Sequence, residues 1–228
     1  MSSTRRPNGR SLTPPIVVDR VRFAASTTMA ASSTTSVRLV AAKRVPGEEG
    51  IWVLIFGDLL MFAAFFATYL YYRGQQHAVF AAYEPKLNRS YGLIDTLLLV
   101  TSSLFVSVGV GSIRSVEVAV RRLGRPAFGA ALLCALGFVG MKLLEWGDLI
   151  HSRATPQTNT FFMCYFVLTG AHLFHLLIGL GVLVFLATQA HGESLPPRRL
   201  ALVEGGACFW HMVDLLWIVL FALLYLAR

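Results

Sequence analysis

FFMCYFVLTGAHLFHLLIGLGVLVFLA, residues Phe161 to Ala187, decides what kind of fold this chain can have. The stretch contains no Asp, Glu, Lys or Arg. About 20 mostly apolar residues in helical form cross the hydrocarbon core of a bilayer, so it reads as a membrane span. Four more runs of the same kind flank it: Ile51 to Tyr72, Tyr91 to Ile113, Ala127 to Ile150 and Leu200 to Ala227. The composition agrees, with 55% hydrophobic and only 14% charged residues in 228. A soluble domain carries about a quarter charged residues, so a soluble enzyme is excluded. The expected fold is all-α: an integral membrane bundle of five transmembrane helices over residues 46–228, preceded by a tail.

The net charge of +8 raises the question of nucleic acid, and its distribution answers it. Eight Lys and Arg precede the first span, four lie between the second and third (Arg114, Arg121, Arg122, Arg125) and two between the fourth and fifth (Arg198, Arg199). The opposite side holds Arg73, Lys86, Arg89, Arg153 and Arg228. Such alternation is the positive-inside pattern of a multi-pass protein, with the N-terminus in the cytoplasm and the C-terminus outside. The basicity reports orientation, and no nucleic-acid partner is expected.

The first 45 residues are rich in Ser, Thr, Ala and Arg and hold one acid, Asp19. That composition cannot bury a core, so a disordered cytoplasmic tail is expected. A transit peptide, or translation beginning at Met29, are the other readings. Cys134, Cys164 and Cys208 fall inside apolar runs without CxxC spacing and read as small buried hydrophobes.

Ionisable groups inside a bilayer are costly and need a partner or a purpose. Asp58 is expected about 10 Å from the cytoplasmic end of the first span and Glu204 about 6 Å into the last, using a rise of 1.5 Å per residue. No basic side chain is evident at the depth of Asp58. Lys142 and Glu145, three apart in the third span, can pair on one face. His172 and His175 lie one turn apart in the fourth span, as His211 and Asp214 do in the fifth. Glu204, His211 and Asp214 form a stripe that must face other helices. His with carboxylate suits zinc or non-haem iron, but the HExxH and Glu-x-x-His arrangements are missing. Interhelical hydrogen bonds are the expected use of these groups. Gly170, Gly179, Gly181, Gly205 and Gly206 suit close helix packing.

Taken in order, these segments resemble subunit III of the haem-copper respiratory oxidases. GIWVLIFGDLLMFAAFF is similar to that family's helix with an acid before a Phe-rich stretch, and IDTLLLVTSS to its N-T-x-L-L-x-x-S-S segment. MKLLEW resembles its helix ending in a Glu-aromatic pair. NTFFMCYFVLTGAHLFHLLIG resembles F-F-x-x-T-G-x-H-x-x-H-x-x-I-G, and VEGGACFWHMVDLLWIVLFALLY the family's E-x-x-x-x-x-W-H-x-V-D-x-x-W helix. The resemblance implies a companion without catalytic, cofactor or metal ligands of its own. It would pack beside a catalytic subunit that carries haem, with or without copper, bind phospholipid, and support proton entry and stability during turnover. Asp58 takes the buried acid position, Glu145 the acid of the third helix, His172 and His175 the paired histidines, and Glu204, His211 and Asp214 the stripe of the last helix. Longer members have seven helices, and Asp58 stands where most have Glu. Both departures, with PGEEGIWVLIFGDLLMF, look closer to the NorE-type branch associated with nitric oxide reductases. The expected setting is a bacterial-type plasma membrane and respiratory electron transport. A small proton-coupled transporter and a metal-dependent membrane enzyme using His172, His175 and His211 are the competing classes, and the chain shows no internal repeat of the kind transporters often carry.

Overall fold

Five helices long and apolar enough to cross a membrane make up the computed structural model of the chain: Gly50–Gln75, Arg89–Arg114, Val118–His151, Thr160–Gln189 and Pro197–Leu226. The structure describes residues 49–115, 117–190 and 195–226. The chain divides into two units, Met1–Val45 and Pro46–Arg228, and all that follows concerns the second. The expectation for the first 45 residues lies outside the described residues.

Helix α1 (Glu49–Gln75) leads through a short α2 (His77–Tyr83) and a 3-10 turn (Glu84–Lys86) into α3 (Arg89–Arg114). A single turn, α4 (Val118–Arg121), precedes α5 (Gly124–His151); then come α6 (Thr160–Gln189) and α7 (Pro197–Phe221), which ends in a π turn (Ala222–Leu226). Local chemistry sets the ends. Asn88 caps α3 by accepting from the Ser90 amide at 3.0 Å, and Asn159 caps α6 by accepting from Phe162 N at 3.0 Å. Pro197 opens α7 at a position where its missing N–H costs nothing. Beyond α5, Arg153 takes φ 60, so that Ala154 N reaches Leu149 O at 2.9 Å and Arg153 N reaches Ile150 O at 3.0 Å. Those two bonds close the helix as a Schellman motif. The third span begins earlier than its apolar run suggests, because α4 and α5 together continue it toward Val118.

α3 packs most extensively against α5; α5 contacts α6, α6 contacts α7, and α7 returns to α3. These four close a ring, and α1 lies outside it against α6 and α7. Small residues permit the close approaches: a methyl group on Gly109 would meet the Phe128 ring at 2.7 Å, and one on Gly179 would meet Trp210 at 2.8 Å.

Burial runs opposite to that of a soluble protein. Val53, Leu60, Leu133 and Phe174 lie exposed, whereas Asp95, Lys142 and His172 have no exposure at all. Among the described residues there is no strand. An all-α, multi-pass membrane bundle is the architecture.

Candidate functional site

The polar side chains inside the bundle form several separate groups. The most buried joins α3, α5 and the π turn. Lys142 and Glu145, three residues apart on α5, face the same way, and Lys142 Nζ donates to Glu145 Oε2 at 2.6 Å. From α3, Asp95 Oδ2 stands 3.0 Å from the same ammonium. Tyr225 donates its hydroxyl to Glu145 Oε1 at 2.7 Å, and Lys142 lies 4.4 Å over the Trp217 ring. One ammonium thus ties two carboxyls on different helices, with an aromatic face completing its shell. Asp95 keeps Oδ1 without a hydrogen-bond partner among the described residues.

A second group joins α1 to α6. His175 Nδ1 lies 2.8 Å from Ala171 O. A carbonyl only accepts, so Nδ1 carries a hydrogen. Nε2 is then the atom facing Asp58 Oδ1, at 3.5 Å. The ring is held edge-on by Phe62, 5.2 Å between centroids. This corrects the expectation that Asp58 has no basic partner at its depth: the partner sits on a helix distant in sequence and meets it only after packing.

The third group follows the α3–α7 seam. Arg114 Nη2 contacts Glu204 Oε1 at 2.7 Å. His211 Nδ1 bonds the Ser103 hydroxyl, and its Nε2 lies 3.4 Å from Ser107 Oγ. Further along, Trp217 Nε1 donates to Thr96 Oγ1 at 3.1 Å. Asp214 is buried, and its Oδ1 has no hydrogen-bond partner among the described residues.

His172 stands apart. It is fully buried, and neither ring nitrogen has a hydrogen-bond partner among the described residues. Phe138 and Trp217 pack against it, at 5.7 and 5.2 Å between centroids. The interhelical hydrogen bond expected for it is replaced by aromatic packing. Near the opposite end of the bundle from Arg114, Tyr91 donates to Asp148 Oδ2 at 2.9 Å, and Arg73 pairs with Glu84 at 3.2 Å.

The seven residues singled out in the sequence therefore do not converge on one centre. Glu145 joins the Lys142 cluster, Asp58 meets His175, and Glu204, His211 and Asp214 share the seam, with no hydrogen bond to His172 among the described residues. Among the described residues no group of three or more His, Cys, Asp or Glu converges as a metal shell. Cys164 is buried, while Cys134 and Cys208 are half-buried; all three are free thiols. Sequence reasoning passed over Asp95, although it is an acid inside an apolar run and stands where the resembled segment has Asn. It also passed over Tyr225, Ser103 and Arg114, whose roles depend on which helix each one faces.

The fold and these polar groups define a class: a helical multi-pass membrane protein whose buried polar side chains connect its helices to one another. Within that class, the chain belongs to the cytochrome c oxidase subunit III family, whose model matches residues 27–227. It is 31% identical to cytochrome c oxidase subunit 3 of Thermostichus vulcanus over 181 residues, 78% of this chain and 85% of that protein. It is 25% identical to the corresponding subunit of Bacillus sp. strain PS3 over 177 residues, 78% and 84% of the two chains. Quinol oxidase subunit 3 of Bacillus spizizenii is 26% identical over 182 residues, again 78% of this chain and 85% of its own length.

Proposed function

We propose that this chain is a non-catalytic subunit of a haem-copper respiratory complex, seated beside a catalytic subunit that holds the haem and any copper. The family match over residues 27–227 carries the reading. The buried groups support it, since they link the helices to one another. The chain lies in a bacterial-type plasma membrane with its N-terminus cytoplasmic and its C-terminus outside, the orientation that the loop charges favour. Its outward apolar side chains suit bound phospholipid, and its contribution is assembly and proton-linked stability of the complex.

Asp58 and His175 are the proton-bearing pair in this reading. With Nδ1 committed to Ala171 O, Nε2 is the ring atom left to exchange a proton with Asp58 Oδ1, 3.5 Å away. The pair joins α1 to α6. Asp58 in place of Glu, with PGEEGIWVLIFGDLLMF, favours the NorE-like branch and a nitric oxide reductase partner over an oxygen reductase.

Gentle solubilisation, capture through a C-terminal tag, and an optical spectrum with partner masses test this. A haem a-type spectrum or a copper-bearing partner makes the complex a terminal oxidase. A partner with haem b and c that reduces nitric oxide places it in the NorE-like branch. A colourless chain purifying alone overturns the proposal.

A further inference from the structure

We infer that the outward side of the α3–α7 seam is the surface on which a transmembrane helix of another subunit docks, with small residues at the contact and a polar side chain opposite His211. The inference deepens the subunit reading above and rests on it for the existence of the partner. Ser103, Ser107 and Gly111 follow one another at four-residue spacing on α3, and Arg114 continues the same line. Ser107 and Gly111 are exposed, and a methyl group on Gly111 would meet nothing within 4 Å. A line of small side chains lets a second backbone approach closely, the usual basis of helix association in lipid. Large side chains stand outward on α5 (Leu133, Leu136, Leu143 and Leu144) and on α6 (Phe174, Leu177 and Ile178). Those suit acyl chains.

The polar groups on the seam supply the independent argument. Ser107 donates its hydroxyl to Ser103 O at 3.1 Å, so toward His211 Nε2 it offers only lone pairs. Nδ1 of the same ring is taken up by the Ser103 hydroxyl, which leaves Nε2 as the atom to be satisfied from outside. Nε2 has only the long 3.4 Å contact with Ser107, on a ring that is half-buried. His211 lies about 21 Å along the last span from Pro197, near its middle, at a rise of 1.5 Å per residue. Beside Ser103, Asp214 is 8% exposed and leaves Oδ1 without a hydrogen-bond partner among the described residues. Acyl chains offer neither donor nor acceptor, so a poorly bonded ring nitrogen at mid-membrane calls for a protein partner. The exposed Arg114 of the Arg114–Glu204 pair stands at one end of the seam, where a partner's loop can reach it.

Two experiments on the whole complex test this. Ser107→Leu and Gly111→Leu fill the surface without touching the interior. Each is expected to lower recovery of haem-bearing subunits on the tagged chain at least fivefold, with the chain itself still present in the membrane. In the second, benzoylphenylalanine replaces Leu215, which is 54% exposed one turn beyond His211, or Leu133 on α5, which is 71% exposed. Irradiation of native membranes is expected to join position 215 to a different polypeptide and position 133 to lipid. Wild-type recovery by both leucine variants, lipid adducts alone at 215, or an adduct with a second copy of this chain would overturn the docking surface. If the wild-type chain brings down no haem-bearing subunit, the function proposed above fails, and the adduct at 215 still decides whether a protein helix covers the seam.

Discussion

Lys142 shows what a single residue does in this bundle. Its ammonium has contacts to Asp95 at 3.0 Å and Glu145 at 2.6 Å, all three side chains being almost wholly buried. Removing one member of a buried ion pair strands the rest, at a cost of about 3–5 kcal/mol. Lys142→Met is therefore expected to lower thermal stability sharply in detergent, whereas Lys142→Gln combined with Asp95→Asn and Glu145→Gln, which strands no member, recovers most of the loss. Near-equal melting temperatures for the single variant and the wild type would refute the pairing. Asp58→Asn gives the opposite expectation. An Asn amide can donate to His175 Nε2, so the chain is expected to accumulate and assemble as wild type while losing any proton-linked property that depends on the Asp58 carboxyl. Failure of that variant to assemble, read as subunit recovery on the tagged chain, would mean that the carboxylate charge itself holds α1 in place.

At the scale of elements, caps and close contacts bear the load. Asn159 begins α6 by accepting from Phe162 N, and Asn159→Ala is expected to cost about 1 kcal/mol, measured by thermal unfolding. Gly109 seats the Phe128 ring where α3 meets α5. Gly109→Val forces those two helices apart and is expected to reduce stability by about 1–3 kcal/mol through overpacking. The same change at Gly111, with open space beyond it, is expected to leave the isolated chain's melting temperature nearly unchanged. These elements were largely legible in the sequence: all five spans appear as apolar runs, and Pro197 and Asn159 stand at helix starts. Less legible was the extension of the third span through α4 toward Val118, because Arg121, Arg122 and Arg125 interrupt the apolar pattern there.

For the whole molecule, the ring of α3, α5, α6 and α7 with α1 outside it suggests that the unit beginning at Pro46 is self-sufficient. A chain starting there is expected to insert and to capture the same partners as the full sequence, measured by yield and spectrum after purification. Loss of insertion would assign the first 45 residues a part in it. The sequence by itself determined the membrane class, the number of spans, their polarity of charge and the family, because apolar length and loop charge are properties of the chain taken in order. It also showed that Lys142 and Glu145 share a helix face, since three-residue spacing is local. Only the tertiary structure decided that Asp95 completes the Lys142 cluster, that His175 answers Asp58, that Arg114 answers Glu204, and that His172 sits among aromatic rings. Each of those outcomes depends on how far helices remote in sequence are rotated and shifted against one another, and one-dimensional periodicity carries no information about that rotation.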